Sequence, residues 1–169
     1  MKEIENLDAK NDCFGEIDCK LLTQEMKDKV LPLLVIMVMK RDSGIKSRGV
    51  ANGSLQIFHT NKSECTLLTP YFYSLKCVCA VSVKEERYIA DVDLPEFFLQ
   101  AEADTDYEPI IINLTGATVL LLVKTGERWR KNLRVENGKW IIYAACRKVI
   151  CCTINAALMV HKNLSRFLK

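Results

Sequence analysis

The chain has 169 residues, 49% of them hydrophobic and 27% charged. That is enough apolar surface for a folded core, and too much for a disordered chain. A net charge of +3 does not by itself mark a nucleic-acid binder. The longest apolar run, residues 30–39, is too short to span a membrane and contains Pro32. The charged N-terminus lacks the apolar core of a signal peptide. Eight cysteines include no C-x-x-C pair. The two histidines, His59 and His161, form no ligand cluster with them. The expectation is therefore buried, reduced thiols in an intracellular protein, cytoplasmic or nuclear.

Residues 1–20 carry six acids (Glu3, Glu5, Asp8, Asp12, Glu16, Asp18) against three lysines. They show no periodicity and read as a disordered tail. Residues 21–30 have helix-forming composition with Thr23 as N-cap and Pro32 as the stop. Residues 33–40 and 45–51, rich in Val, Ile and Met and separated by Asp42-Ser43-Gly44, predict a β-hairpin, with Asn52-Gly53 as a second turn.

Residues 70–83 open on Pro70 and space Phe72, Leu75, Cys79 and Val83 by three and four, which predicts a helix with one buried stripe. Residues 88–92 predict a short strand leading into Asp93. A strand at 110–113, a short apolar helix or strand at 115–124 and a basic helix at 127–134 come next. A strand at 139–145 and an amphipathic helix at 154–168 complete the α+β pattern, a single domain over 21–169. Residues 147–169 hold five basic side chains and no acid, which suits phosphate contact and equally a solvated helix face.

Three segments carry the chemistry. In residues 46–56, Lys46 and Arg48 are two apart on a strand and so share a face, where they can grip a polyphosphate. A solvated strand face presents such a pair too. In residues 90–100, Asp93 follows a strand and precedes aromatics. A carboxylate there can hold a magnesium ion against a phosphate, or simply cap the next turn. Residues 143–158 form a strand, a turn and a helix start with no chemistry of their own.

The first segment is similar to the K-A-R-L-V-A-K-G-F-x-Q motif of copia-type retrotransposon reverse transcriptases, matching at Lys46, Arg48, Val50, Ala51, Gly53 and Gln56. The second resembles their D-V-K-T-A-F-L palm motif at Asp93, Phe98 and Leu99. The third resembles K-A-L-Y-G-L-K-Q-A-P-R-x-W at Lys148 and Ala156. The acidic turn at 104–108 and Gly116 also fall in family order. The resemblance runs over residues 22–168 and implies the fingers and partial palm of a right-hand RNA-directed DNA polymerase, a nucleotidyltransferase.

By that resemblance Asp93 is the catalytic residue and magnesium ligand. Phe98 packs under the deoxynucleotide sugar, and Lys46, Arg48 and Asn155 contact the nucleotide. The implied partners are an RNA or DNA template-primer and deoxynucleotides. Cys151-Cys152 stands where the family has Tyr-Gly, Asn155 where it has glutamine, and Ala157 where it has proline. The paired aspartates of its Y-x-D-D turn would fall past Lys169. The expectation is an incomplete magnesium site, a chain inactive alone, and self-association through an exposed palm edge. A nucleic-acid-binding remnant without catalysis, and a remnant with no function, are the alternatives.

Overall fold

The alternation of inward and outward side chains along two central strands organises the protein. In the computed structural model, which describes residues 2–58, 71–90, 92–103 and 108–167, six strands form one mixed sheet. They are β1 (Phe14–Glu16), β2 (Leu31–Met39), β3 (Ile45–Ala51), β4 (Ile111–Thr115), β5 (Arg134–Glu136) and β6 (Lys139–Cys146). Their order is β1-β6-β4-β2-β3, with β5 also pairing with β6. Every pairing is antiparallel except β2 with β4, which run parallel and pair only at Leu31 and Pro32. An α+β fold is what the sequence predicts.

On β4 and β6 the residues Ile112, Leu114, Ile142, Ala144 and Cys146 face the main core, while Ile111, Ile141 and Tyr143 face a second cluster with Leu22 and Val30. This is the period of two that a sheet covered on both faces requires. The main core is closed by α4 (Ala117–Thr125) and α5 (Glu127–Lys131) through Val119, Leu122 and Trp129. The preceding helices are α1 (Lys2–Glu5), α2 (Gln24–Asp28) and α3 (Phe72–Lys84), and α6 (Ala156–Phe167) ends the described chain. Its buried side packs Ala156, Met159 and Val160 against Ala101 and Val149.

The predicted hairpin forms, with Val38 opposite Lys46 and Ile36 opposite Arg48. Thr23 caps α2 as expected, its hydroxyl accepting from Met26 N at 3.2 Å. Pro32, predicted to separate helix from strand, lies instead inside β2, at its junction with β4. The basic helix predicted over 127–134 stops at Lys131, because Arg134 begins β5. The link from β5 to β6 is Asn137-Gly138, both at positive φ, the two-residue hairpin turn for which this dipeptide is suited.

Three expectations are corrected. The first twenty residues are not a disordered tail. They form α1, a π-helical turn at Asn6–Lys10, β1 and a 3-10 turn at Cys19–Leu21, with Ile4, Leu7, Cys13 and Phe14 fully buried. Three of the acids that suggested a tail are partnered by distant residues. Glu3 accepts from Gly49 N at 2.8 Å, and Asp12 pairs with Arg147 at 2.6 Å. Asp8, only 3% exposed, accepts from Arg128 Nη2 at 2.6 Å, Trp129 Nε1 at 2.9 Å and the Thr125 hydroxyl.

Second, the stripe on α3 is not buried: Phe72, Leu75 and Val83 are 66%, 59% and 75% exposed. The helical periodicity holds, but no described element covers that face. Lys76 lies over the Phe72 ring, its Nζ 4.6 Å from the centroid. Cys77, expected buried, is exposed, and Cys79 is half-buried. Third, residues 88–90 and 92 form no strand and are exposed. Both edges of β4, the central strand nearest them in sequence, are already taken by β2 and β6. Residues 59–70, Asp91, and 104–107 of the acidic turn lie outside the described residues.

Replacing Asp8 with alanine strands a guanidinium and an indole N–H that the carboxylate now satisfies. Breaking such a pair costs roughly 3–5 kcal/mol when both partners are buried, and Arg128 is partly solvated, so the lower end applies, about 3 kcal/mol. Urea unfolding of Asp8→Ala against the parent chain measures it.

Acid should also unfold the protein. Hydrogen bonds from Asn6 and Asn11 and the charge of Lys10 hold Glu96 below the usual carboxylate range. The Tyr143 hydroxyl and Lys27 do the same for Glu136. At Asp12 burial pushes the carboxyl up, but Arg147 and Arg128 together outweigh it and the net shift is downward. Carboxyls with a folded pKa below the unfolded one stabilise fully above the ordinary range and lose that contribution as pH falls through the folded values. The urea midpoint should be flat above about pH 5 and decline below about pH 4.

Candidate functional site

The turn between β6 and α6 is where distant parts of the chain meet. Val149 and Ile150 are buried and anchor the turn from below. Its carbonyls and amides then receive the end of β3. Ala51 N donates to Cys151 O at 3.1 Å, and Ile154 N donates to Gln56 Oε1 at 2.9 Å. Between them Gly53 sits so close that a Cβ would lie 2.3 Å from the Cys152 carbonyl oxygen. Only a residue without a side chain fits that approach. Asn52-Gly53, predicted as a turn, leads into a 3-10 turn at Gly53–Phe58. Cys152 itself holds a φ of 74°, the left-handed region that favours glycine.

Lys46 and Arg48 project from one face of β3, both exposed, and neither forms an ion pair among the described residues. Arg48 lies near enough to Cys151 for its charge to act on that thiol. The net effect on Cys151 is still upward, led by burial and by the proton it shares with Cys152. Asn155 precedes α6. Its backbone carbonyl accepts from Met159 N, and its side-chain oxygen is buried with no hydrogen-bond partner among the described residues.

Phe98 belongs to a 3-10 turn at Phe97–Gln100 and is half-buried. Its ring stands 6.0 Å from that of Phe97 at 60°, and both pack on the cluster that includes Ala156, Met159 and Val160. The segment carrying Asp93 is thus joined to the final helix. Glu96, at positive φ, is tied to the N-terminal turn by Asn6 Nδ2 at 3.0 Å and Lys10 at 3.4 Å.

Asp93 itself is exposed in irregular chain. The strand expected to deliver it is absent for the reason given above, so the strand-end carboxylate is not assembled. Among the described residues no three His, Cys, Asp or Glu side chains gather where a metal ion could sit. The structure therefore brings Arg48, Gln56, Asn155 and the Cys151–Cys152 turn into one region. Asp93 shares only the packing of its segment against α6.

Two features escaped the sequence reading. Asp8 looked like one acid among six, and nothing local distinguishes it. Cys151 and Cys152, expected buried like the other cysteines and departing from the family motif, are half-buried and exposed, and adjacent cysteines are themselves a signal. Comparison with protein-family models, curated proteins and solved structures finds no match to this chain.

Gly53→Ala tests the junction. A methyl at 2.3 Å from a backbone oxygen forces β3 away from the turn, and overpacking of this kind costs about 1–3 kcal/mol. Thermal unfolding of the variant should show that loss. Gly138→Ala, where nothing lies within 4 Å of the new methyl, is the comparison that isolates backbone strain from crowding.

Proposed function

We propose that the chain is a catalytically inactive relative of copia-type reverse transcriptases, built from the fingers and first palm segment of an RNA-directed DNA polymerase. The observation that carries the reading is the junction at residues 151–156. Segments that resemble the family's motifs are separated by up to about a hundred residues, yet they meet there. Ala51, Gly53 and Gln56 dock on the turn, and Phe98 packs against the helix that follows it. The positive φ of Cys152 falls where the family carries glycine, which fits a backbone that keeps the ancestral turn after losing its ancestral residue.

In this reading Lys46 and Arg48 are the surviving phosphate contacts, whereas Arg147 and Lys148 after β6 are paired with Asp12 and Glu102. Lys46 and Arg48 are exposed, and neither forms an ion pair among the described residues, which favours their use as contacts to a polyanion. Template-primer and deoxynucleotides are the partners the resemblance implies. Magnesium chemistry is another matter. Phosphoryl transfer of this type clamps two metal ions about 3.5–4 Å apart between several carboxylates. Asp93 stands exposed and without companions among the described residues. Among the described residues no carboxylate set fits the metal pair, which supports the reading of a chain inactive on its own.

Nucleic-acid binding without catalysis is therefore the activity retained. Self-association belongs to the same reading: from residue 33 to 39, β2 pairs with β3 alone, and an open apolar edge templates a second copy. No helix among the described residues is long and apolar enough to cross a membrane.

Fluorescence anisotropy with a labelled single-stranded oligonucleotide should show binding that weakens steeply with salt. Lys46→Ala with Arg48→Ala should lower the slope of log affinity against log salt by about 1.4, roughly 0.7 per lost phosphate contact on a single strand. Primer extension with magnesium, a primed RNA template and deoxynucleotides should be undetectable. Extension that vanishes in Asp93→Asn would overturn the inactivity. Salt-independent or absent binding would remove the nucleic-acid reading.

A further inference from the structure

Cys151 and Cys152 place their sulfur atoms 3.6 Å apart, and Cys152 is exposed while Cys151 is half-buried. Consecutive residues of an extended chain point to opposite sides. The left-handed φ of 74° at Cys152 breaks that alternation and turns both thiols to one side. The turn is held from behind by Ala51 N on Cys151 O at 3.1 Å and by Gly53 under the Cys152 carbonyl. The dithiol is thus preformed on a fixed backbone.

We infer that Cys151 and Cys152 form a chelating site for one thiophilic centre, with trivalent arsenic as the chemical class that fits. With thiolate bonds of about 2.3 Å, the length found on zinc, a sulfur separation of 3.6 Å closes an angle of about 100° at the bound atom. That suits a pyramidal centre with two sulfur bonds and one carbon bond. A structural zinc ion needs four ligands, and no third His, Cys, Asp or Glu joins the pair among the described residues. A centre satisfied by two sulfurs is accordingly preferred.

The other described cysteines do not compete. Cys13 and Cys146 are buried, and burial pushes the Cys13 thiol up to about 12 and the Cys146 thiol up as well. Cys77 and Cys79 lie two apart on α3 and so project about 200° apart around its axis. Cys19 has no described cysteine beside it in sequence. With an organoarsenic oxide the step balances without any oxidant. Two S–H bonds break, two S–As bonds form, and the arsenic-bound oxygen leaves as water with both protons.

The probe is phenylarsine oxide on the full, reduced chain in the presence of excess glutathione, which strips arsenic from single thiols. Intact-mass spectrometry should show one arsenical per chain with the loss of one water, and the free-thiol count should fall by two. Trypsin cleavage after Lys148 and Lys162 should leave the adduct on residues 149–162, a readout that needs no variant to fold. Cys151→Ser and Cys152→Ser should each lose the retained adduct, and dithiothreitol should strip it from the parent chain. Absence of a glutathione-resistant adduct, its mapping outside residues 149–162, or its persistence in both variants would overturn the inference.

Discussion

A buried carboxylate in the first turns of the chain holds the core together. Asp8 is enclosed between α1, α4 and α5, where it accepts from Thr125, Arg128 and Trp129. An ionised carboxylate out of water is tolerated only when its oxygens are bonded and its charge is met. Here the Arg128 guanidinium meets the charge, and it reaches on to Asp12 at 3.5 Å. The indole N–H of Trp129, the largest fully buried side chain, is satisfied by the same group. The tryptophan can therefore lie under the sheet with no orphan donor, and Ile4 and Leu7 close over it with the rest of the N-terminal segment.

From that core the candidate site follows by geometry. Leu7 presses on β3 so tightly that a Cβ at Gly49 would lie 2.4 Å from it, which fixes the base of the hairpin. The fixed base sends Ala51 and Gly53 onto the turn after β6, and β6 is itself set by β1 and β4 on its two sides. The exposed cations of β3 are thus carried on a strand whose root is immobilised, while its far end extends beyond the sheet.

Much of this was legible in the sequence where the signal is local. The hairpin over β2 and β3, the Thr23 cap, β4, β6 and α6 are all set by short patterns of turn residues and alternating or helical apolar positions. Asn137-Gly138 was equally legible as a hairpin turn, but the basic composition before it drew the reading toward a longer helix. What could not be read was anything that depends on a distant partner. The acids of the first twenty residues signal a solvated tail until Arg128, Arg147 and Gly49 arrive. The strand expected before Asp93 has the right composition, but β4, the central strand nearest it in sequence, has both edges taken by β2 and β6. The face of α3 has the right period, and only the fold reveals that no described element covers it. The motif segments could be aligned with a family by their order, but their meeting at residues 151–156 is a property of the tertiary structure.

The reach of the Asp8 contacts also sets how the protein must be made. Its three side-chain partners lie 117 to 121 residues away along the chain, and β1 waits for β6, with Phe14 facing Cys146. Closing a loop of that length costs about 4 kcal/mol in chain entropy beyond a constant term, and few local contacts exist to offset it early. During synthesis the first segment leaves the ribosome with its apolar side chains and its carboxylate unmatched. It stays so until residues 125–146 have emerged. Meanwhile the apolar hairpin that follows it is free to form. Until then the nascent chain displays a sticky apolar strand pair before the core that anchors it exists, and holdase chaperones would act in that interval.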